Sequence, residues 1–458
     1  MTGGLAVGST ATRTGSALRV VLAGIVLLYS AVHFFGSGVR FPLSAPNLGQ
    51  VEEEMRPLEV HLETHQPVTS NNPRQYGPMF LLVLDPLLRW THGDRVGLSN
   101  ILYGLALALF IGSFAITAAT LWPLVPPPRR PLAAVLFTAL WLNFAPVYAI
   151  LAVKNVEIWE LFLMVTALYC LAHDRRAGAG ISIGTAALMK LLPFAFFYWF
   201  LLRDRRSLVY AAGTLVVILV AAQALYGPEA GLWYLPHVFR SATGNSWGLL
   251  WHENVSIKGM LIKLFGHLEG TLNPKYAGLA HGGSGHAVVI SSDRLAIVQR
   301  IGTVIQAAGG LWLTWMILNP ARRTGSQRLF FEWSLVSVML LILSPQTAFE
   351  YCTLALGAFS YVLVRLVSTR RPGWPAVMSF AGAVFLVANV VPRSIVARML
   401  FIDRINRMNM IGQLSPVEGF QYYGFPLAGL VLLVVSLCAL RATSSDFESP
   451  TNSALPNA

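Results

Sequence analysis

The feature that most constrains the fold is a series of ten apolar segments separated by polar stretches. Most of them approach the roughly 20 residues that an α-helix needs to cross a bilayer. In chain order they are Leu18–Phe35, Leu98–Trp122, Leu132–Ile150, Ile158–Leu171, Leu208–Tyr226, Leu295–Leu318, Leu329–Ser344, Thr353–Val367, Trp374–Val391 and Phe425–Leu440. Only 12% of the residues are charged, against about 25% in soluble domains. The sequence therefore predicts an all-α, polytopic transmembrane bundle with about 10–12 spans.

Clusters of arginine indicate how the chain is threaded. Five clusters flank the apolar segments: Arg129/Arg130, Arg175/Arg176, Arg203/Arg205/Arg206, Arg322/Arg323/Arg328 and Arg370/Arg371. The positive-inside rule places all five on the cytoplasmic side. Because the arginines flank apolar segments, the net charge of +12 does not indicate a nucleic-acid partner. We expect one domain over residues 18–441, with outer loops at 36–97, 227–294 and 392–424. The tails, 1–17 and 442–458, are expected to be cytoplasmic, and the second to be disordered.

Two shorter apolar segments do not fit a simple span. Ile181–Leu202 has basic residues at both ends and carries Lys190 and Pro193 in its middle. A proline breaks the helical hydrogen-bond ladder, and a lysine at bilayer depth is costly. We therefore predict two half-helices that meet near Lys190, as a re-entrant hairpin. Met79–Trp90 is too short to span, and is predicted to dip into the membrane from the outer face.

The first predicted outer loop is rich in carboxylates. Of the 21 acidic residues in the chain, five lie in the polar stretch Gly36–Gln75 of this loop: Glu52, Glu53, Glu54, Glu59 and Glu63. Such a cluster can bind cations, solvate a loop or remove a proton from a substrate, and the residues alone leave these roles open. His61 and His65 are four residues apart, but they do not form a zinc-protease motif, and no metal is expected. The three cysteines lie in apolar segments without metal-ligand spacing and give no redox signal.

Polar residues recur at the other predicted outer turns. They are Lys154, Asn155 and Glu157 at one turn, Lys190 at the hairpin, His252, Glu253, Asn254, Ser256 and Lys258 in the large loop, and Glu350 with Tyr351 at a later turn. Charged groups at such depths usually mark a site, although mutual ion pairing that joins helices is the alternative. A site that combines cations and a carboxylate suits an anionic lipid substrate: the cations hold its phosphate, and the carboxylate deprotonates an attacking hydroxyl.

Five motifs, in the same order along the chain, resemble the GT-C superfamily of glycosyltransferases, and specifically glycosyltransferase family 87. They are a tyrosine–proline motif at Gln75–Leu82, a turn at Lys154–Glu157, an alkyl–Lys–Pro segment at Ala187–Pro193, an Asn-x-Ser segment at Asn254–Ser256, and a Ser-Pro motif at Ser344–Tyr351. The resemblance extends from about residue 18 to residue 440. It implies a GT-C-like helical membrane fold and transfer of a hexose, mannose being favoured, from a polyprenyl-phosphate donor to a lipid or glycan acceptor with inversion.

The resemblance also implies roles for single residues. The family's catalytic Asp precedes the tyrosine–proline motif by about two dozen residues, a count that reaches Glu52, with Glu53 and Glu54 beside it. For the lipid phosphate we expect Lys190 and Lys258, with Arg398 or Arg404. For the sugar we expect Arg74, Tyr76, Asn155 and Asn254, and for further substrate contacts Glu157, His252 and Glu350. No cofactor is implied, and an outward-facing site in a plasma membrane is expected.

The chain also departs from the family pattern. The polar stretch Gly36–Gln75 has glutamates but no Asp, Gly77 replaces a proline, Lys154 and Glu157 replace Gly and Asn, and the histidine near Tyr351 is missing. These changes predict a divergent member. The alternatives are a transporter or flippase of a lipid-linked sugar, which would share the broken hairpin, and a catalytically inactive relative.

Overall fold

The computed structural model describes residues 10–38, 48, 51–68, 76–236, 254–269, 287–319, 326–388, 395, 399–400 and 416–442. The first helices are α1 (Thr10–His33), α2 (Val51–Thr64), α3 (Pro78–Thr91), α4 (Arg95–Leu121), α5 (Arg130–Leu142), α6 (Ala145–Val153), α7 (Glu157–Ala172), α8 (Arg176–Ala187), α9 (Ala195–Arg203) and α10 (Arg205–Tyr226). They are followed by α11 (Ile257–Phe265), β1 (His267–Glu269), β2 (Ala287–Val289), α12 (Ser292–Leu318), α13 (Ser326–Leu343), α14 (Leu356–Ser368), α15 (Trp374–Val387), α16 (Pro416–Tyr422) and α17 (Phe425–Ala442).

Helices build almost all of the described chain, and all ten predicted apolar segments are largely helical. Within the described ranges, six helical segments are long and apolar enough to cross a membrane: Arg95–Leu124, Pro127–Ala152, Arg205–Tyr226, Ser292–Leu318, Phe349–Ser368 and Phe425–Ala442. The strands β1 and β2 form one short antiparallel ladder inside the predicted large outer loop. The fold is therefore an all-α transmembrane bundle with one short pair of strands added. The predicted tails, apart from the start of α1 and the end of α17, lie outside the described residues.

The predicted span Leu132–Ile150 lies within the spanning segment Pro127–Ala152, but two helices share it. Helix α5 ends at Leu142 and α6 begins at Ala145. Pro146 lies in the first turn of α6, where its missing N–H does no harm, whereas inside one continuous helix it would break the ladder. The Asn143 side chain donates to the Ala139 carbonyl and to Ser30 Oγ, which stabilises the break.

The two predicted half-helices and the hairpin that they form are present. Helix α8 ends at Ala187, a 3₁₀ turn covers Leu192–Phe194, and α9 then begins at Ala195. The two ends of the segment meet, since Arg176 lies 3.8 Å from the Asp204 carboxylate. Lys190 therefore lies at the apex, remote from the basic ends, as the sequence predicts.

Described arginines of the basic clusters share a carboxylate or donate to backbone carbonyls at one end of the bundle, which we call the basic end. Arg203 and Arg328 both donate to the Glu332 carboxylate, at 2.8 Å and 2.7 Å. Arg129 donates to the carbonyls of Val367 and Thr369, next to Arg370. These contacts agree with placing the clusters on a common side.

The acid-rich segment is not the loop that the sequence suggested. Helix α2 contains all five of its glutamates. The residues Val51, Met55 and Leu58 recur at intervals of three or four and are fully buried, in a core that also contains Tyr76 and Phe80. This periodicity is that of an amphipathic helix, and burial of its apolar face holds α2 on the bundle.

Candidate functional site

Lys190 is the centre of a group of buried polar side chains. Its Nζ lies 2.7 Å from Glu157 Oε1, and only 6% of the residue is exposed. The same nitrogen lies 3.9 Å from the centre of the Tyr351 ring and 5.3 Å from that of Tyr76. A carboxylate and two ring faces together stabilise an ammonium that has lost its water. The alternative of mutual ion pairing thus applies to Lys190 and Glu157.

Backbone contacts join the tyrosine–proline motif to the Lys190 apex. The Gly77 N–H donates to the Met189 carbonyl at 2.7 Å, and the Met79 N–H donates to the Leu188 carbonyl at 3.1 Å. A Cβ at Gly77 would collide with the Leu188 carbonyl. The family resemblance expects proline at this position. Glycine instead allows the two backbone segments to approach closely enough to hydrogen bond.

The turn before α7 brings a third motif to the same place. Lys154 has φ 56°, a left-handed conformation that ends α6, and α7 begins at Glu157. The Tyr76 hydroxyl donates to Asn155 Oδ1 at 2.5 Å. The Glu157 carboxylate also benefits from the positive potential of the N-terminus of α7. Tyr76, Asn155, Glu157 and Lys190 were predicted from separate motifs, and the structure brings them together.

The two remaining motifs, Asn254–Ser256 and Ser344–Tyr351, are hydrogen bonded to each other, and the second reaches Lys190 through Tyr351. Asn254 Oδ1 accepts the N–H groups of Ser256 and Thr347, at 3.0 Å and 3.1 Å. Ser256 Oγ donates to the Pro345 carbonyl at 2.9 Å. The Ser-Pro turn leads into a 3₁₀ helix, Phe349–Ala355, which carries Glu350 and places Tyr351 over Lys190. Asn254 thus fixes the segment that supplies one wall of the cluster.

The acidic residues of α2 form a separate group. Glu52 Oε1 accepts a hydrogen bond from Arg95 at 2.8 Å, and Arg56 lies 4.0 Å away. Glu59 lies 3.9 Å from the same Arg95. Glu53 and Glu54 belong to α2, but their side chains are outside the described part of the structure. The described contacts do not connect Glu52 with Lys190 directly, although the apolar face of α2 shares its core with Tyr76 and Met189.

Of the other predicted residues, Lys258 lies on α11, with its side chain beside Gly302 of α12, and several lie outside the described residues. Burial lowers the pKa of the Lys258 ammonium on α11, and likewise the pKa of Lys154. The residues Arg74, His252, Arg398 and Arg404 lie outside the described ranges. Among the residues that the structure does describe, no group of three or more His, Cys, Asp or Glu side chains is arranged to hold a metal ion.

Sequence reasoning missed Glu160. It lies one turn after Glu157 and is completely buried. Within the described part of the chain, neither of its carboxyl oxygens has a hydrogen-bond partner, and the same holds for Glu157 Oε2 and Asn155 Nδ2. The signal was available, because an acidic pair spaced i, i+3 lies on one face of a helix that is otherwise apolar.

The family model of glycosyltransferase family 87 matches residues 75–345. This range includes the first four motifs around Lys190 and the first two residues of the fifth, Ser344–Tyr351. No curated protein matches the chain. Among solved structures, ArnT from Cupriavidus metallidurans bound to undecaprenyl phosphate aligns with a TM-score of 0.42 and 14% identity, over 93% of this chain and 77% of that one. The apo state of ArnT aligns with a TM-score of 0.35 and 14% identity, over 94% and 78%.

Proposed function

Because this chain belongs to glycosyltransferase family 87 and is a multi-pass membrane glycosyltransferase, we propose that its donor is a polyprenyl-phosphate hexose. Mannose is the favoured sugar, and the acceptor is a lipid or a glycan. The observation that carries the proposal is the convergence of separate family motifs on Lys190, through contacts with Glu157, Tyr76 and Tyr351.

Cations of the site would bind the phosphate of the donor. Lys190 is the buried cation at the hairpin apex, and Lys258 is the second lysine proposed for this role, with Arg398 or Arg404. The Lys190 ammonium is paired with Glu157. A phosphate must therefore displace the Glu157 carboxylate or share the ammonium with it. An anion clamped by cations in a dry site is stabilised as a leaving group.

The acidic group on α2 would supply the base. An acceptor hydroxyl loses its proton to Glu52, with Glu53 and Glu54 as alternatives. The oxygen then attacks the anomeric carbon while the bond from that carbon to the phosphate oxygen breaks. The polyprenyl phosphate leaves with the bonding electrons, and the anomeric configuration inverts. The Arg95 guanidinium donates a hydrogen bond to Glu52 Oε1 and so helps to position this carboxylate.

Polar side chains beside Lys190 would recognise the sugar. Tyr76 and Asn155 are hydrogen bonded to each other, and Asn155 Nδ2 and Glu157 Oε2 keep unused hydrogen-bonding capacity among the described residues. A sugar offers hydroxyl groups that can donate to the carboxylate and accept from the amide. Arg74, Asn254, His252 and Glu350 complete the proposed substrate contacts.

The proposed site faces the outside of a plasma membrane. Lys190 lies at the apex of a hairpin whose ends, at Arg176 and Asp204, are at the basic end. Excess arginine favours the cytoplasmic side. The site, remote from the basic end, would then face the periplasmic or extracellular side.

The test is transfer of labelled sugar from polyprenyl-phosphate mannose in membranes that contain this chain. A variant with Glu52, Glu53 and Glu54 all changed to Gln is assayed beside it, at matched protein levels. We expect label to move to a new lipid or glycan only with the native chain. No transfer from mannose, glucose or arabinose donors by a folded protein would contradict the proposal.

A further inference from the structure

A groove between α4 and α5 opens at the basic end of the bundle. Its volume is about 610 Å³, within the roughly 300–1,000 Å³ typical of ligand sites. The lining residues are Phe114, Ala118, Ala119, Trp122, Pro123, Arg130, Ala134, Phe137 and Thr138. This groove is separate from the Lys190 cluster, and none of its residues has a place in the proposed reaction.

The shape of the groove follows from residue size. At its inner end the rings of Phe114 and Phe137 are in contact, with centroids 5.3 Å apart. Toward the basic end, the small side chains of Ala118 and Ala134 leave the space between the two helices unfilled. The distance along α4 from Phe114 to Trp122 is about 12 Å, at 1.5 Å per residue. The result is an apolar channel with an aromatic floor and an open mouth.

The mouth carries a cation and an amphipathic ring. Arg130 is exposed, and its Nε donates to the Val125 carbonyl at 3.3 Å. This bond holds the guanidinium at the mouth, and within the described residues no partner is seen for its two terminal nitrogens. Trp122 lies on the opposite side of the opening. Arginine binds phosphate well, and tryptophan favours the boundary between hydrocarbon and water.

We propose that this groove binds one acyl chain of an anionic phospholipid, with the lipid phosphate at Arg130. Both walls belong to segments long and apolar enough to span a membrane, so the surrounding solvent is lipid. A neutral lipid would satisfy the apolar walls equally well, and the guanidinium therefore supplies the selectivity. Arg129 strengthens the local positive potential: it is bonded to the carbonyls of Val367 and Thr369, which brings Arg370 and Arg371 to the same end.

The experiment uses the purified full-length chain in vesicles and reads the fluorescence of Trp122. Brominated acyl chains quench tryptophans that they touch, and subtraction of a Trp122→Phe variant isolates the contribution of this residue. Brominated phosphatidylglycerol and brominated phosphatidylcholine are compared. We expect Trp122 to be quenched more strongly by the anionic lipid, with an apparent affinity about fivefold higher, the effect of one cation at a bilayer surface.

Two variants and one control variant test the assignment. Arg130→Gln should make quenching by the two lipids equal, while Arg206→Gln, which removes an exposed arginine of α10, should leave the preference unchanged. Ala134→Leu should reduce quenching by both lipids by filling the channel. Equal quenching in the native chain would refute anionic selectivity. If neither lipid quenched Trp122, protein would cover the groove. If adding polyprenyl phosphate removed the preference for the anionic lipid, polyprenyl phosphate would be the occupant. Either result would overturn the proposal.

Discussion

The Lys190 ammonium at the hairpin apex lies 2.7 Å from the Glu157 carboxylate at the start of α7, and both residues are almost completely buried. The two residues come from separate motifs, 33 positions apart. Taking two charges out of water is costly, and each depends on the other for its neutralisation. This pair therefore controls both the stability of the apex and the availability of the proposed phosphate-binding cation.

Replacing Lys190 alone should destabilise the protein severely. In Lys190→Met the Glu157 carboxylate would remain buried without its cation, and loss of one partner of a buried pair costs about 3–5 kcal/mol. Adding Glu157→Gln should recover much of this loss. Thermal unfolding in detergent gives the stabilities of both variants.

The double variant also separates a structural role from a substrate role. If Lys190 binds the donor phosphate, Lys190→Met with Glu157→Gln should fold normally, lack transfer activity and bind polyprenyl phosphate less tightly than the native chain. The binding of polyprenyl phosphate, which carries no sugar, does not depend on the sugar contact proposed for Glu157. Recovery of activity together with stability would show that the lysine only holds the hairpin.

Glu52→Gln should abolish most transfer with little effect on folding. Loss of a general base typically lowers the rate by about 10²–10⁴-fold, whereas a partly exposed ion pair such as that with Arg95 contributes about 0–1 kcal/mol to stability. Turnover at saturating donor and the unfolding temperature are measured together.

Glu59→Gln is the matched control for Glu52, because it lies on the same helix and faces the same arginine at 3.9 Å. It should retain nearly full activity. Equal losses in both variants would point to the position of α2 rather than to a base, and an active Glu52→Gln would transfer attention to Glu53 and Glu54.

The sequence predicted the spans and the hairpin because their signals are local. The length of an apolar segment can be counted directly in the sequence. Lys190 and Pro193 lie within the segment whose helix they interrupt. The amphipathic helix α2 was missed, although Val51, Met55 and Leu58 carry its periodicity, because its glutamates dominate the average polarity of the segment.

Partners distant in sequence could not be predicted in the same way. Lys190 with Glu157 and Glu52 with Arg95 are separated by 33 and 43 positions. Several acids lie within reach of each cation in sequence terms, and only the packing of helices selects among them. The clash that requires glycine at position 77 likewise arises from a carbonyl more than 100 residues away, so the sequence alone showed only a departure from the family proline.

Gly77→Ala should weaken the contact between the tyrosine–proline motif and the hairpin. The added methyl group would meet the Leu188 carbonyl, which is backbone and cannot rotate away. We expect a loss of about 1–3 kcal/mol, as in other overpacked sites, and reduced transfer because Tyr76 moves. Gly104→Ala is the control, since a Cβ there meets nothing within 4 Å. In the interior of α4 it should stabilise by about 0.5–1 kcal/mol. Equal stability of the two variants would contradict the close approach at Gly77.

The proposed role of Lys258 makes donor binding depend on pH. Burial lowers the pKa of this ammonium below its usual 10.5, so its charge is present at low pH and is lost as the pH rises through the lowered value. Donor affinity should fall over that alkaline range. In Lys258→Arg the charge persists, because arginine does not deprotonate in proteins, and the fall should be absent or smaller. The dissociation constant for polyprenyl phosphate, measured across the alkaline range, tests this.

Lys154→Arg provides the control for this pH dependence. Burial also lowers the pKa of Lys154, but no phosphate contact is proposed for it, so its replacement should leave the alkaline fall in affinity unchanged. Stability changes in the opposite sense to binding. Between the lowered folded pKa and the unfolded value, the unfolded chain binds more protons, so each buried lysine makes folding more favourable as the pH rises. Weaker binding alongside undiminished stability at alkaline pH would therefore assign the loss to the phosphate contact. If Lys258→Arg retained the same alkaline fall as the native chain, the cation responsible would have to be another one.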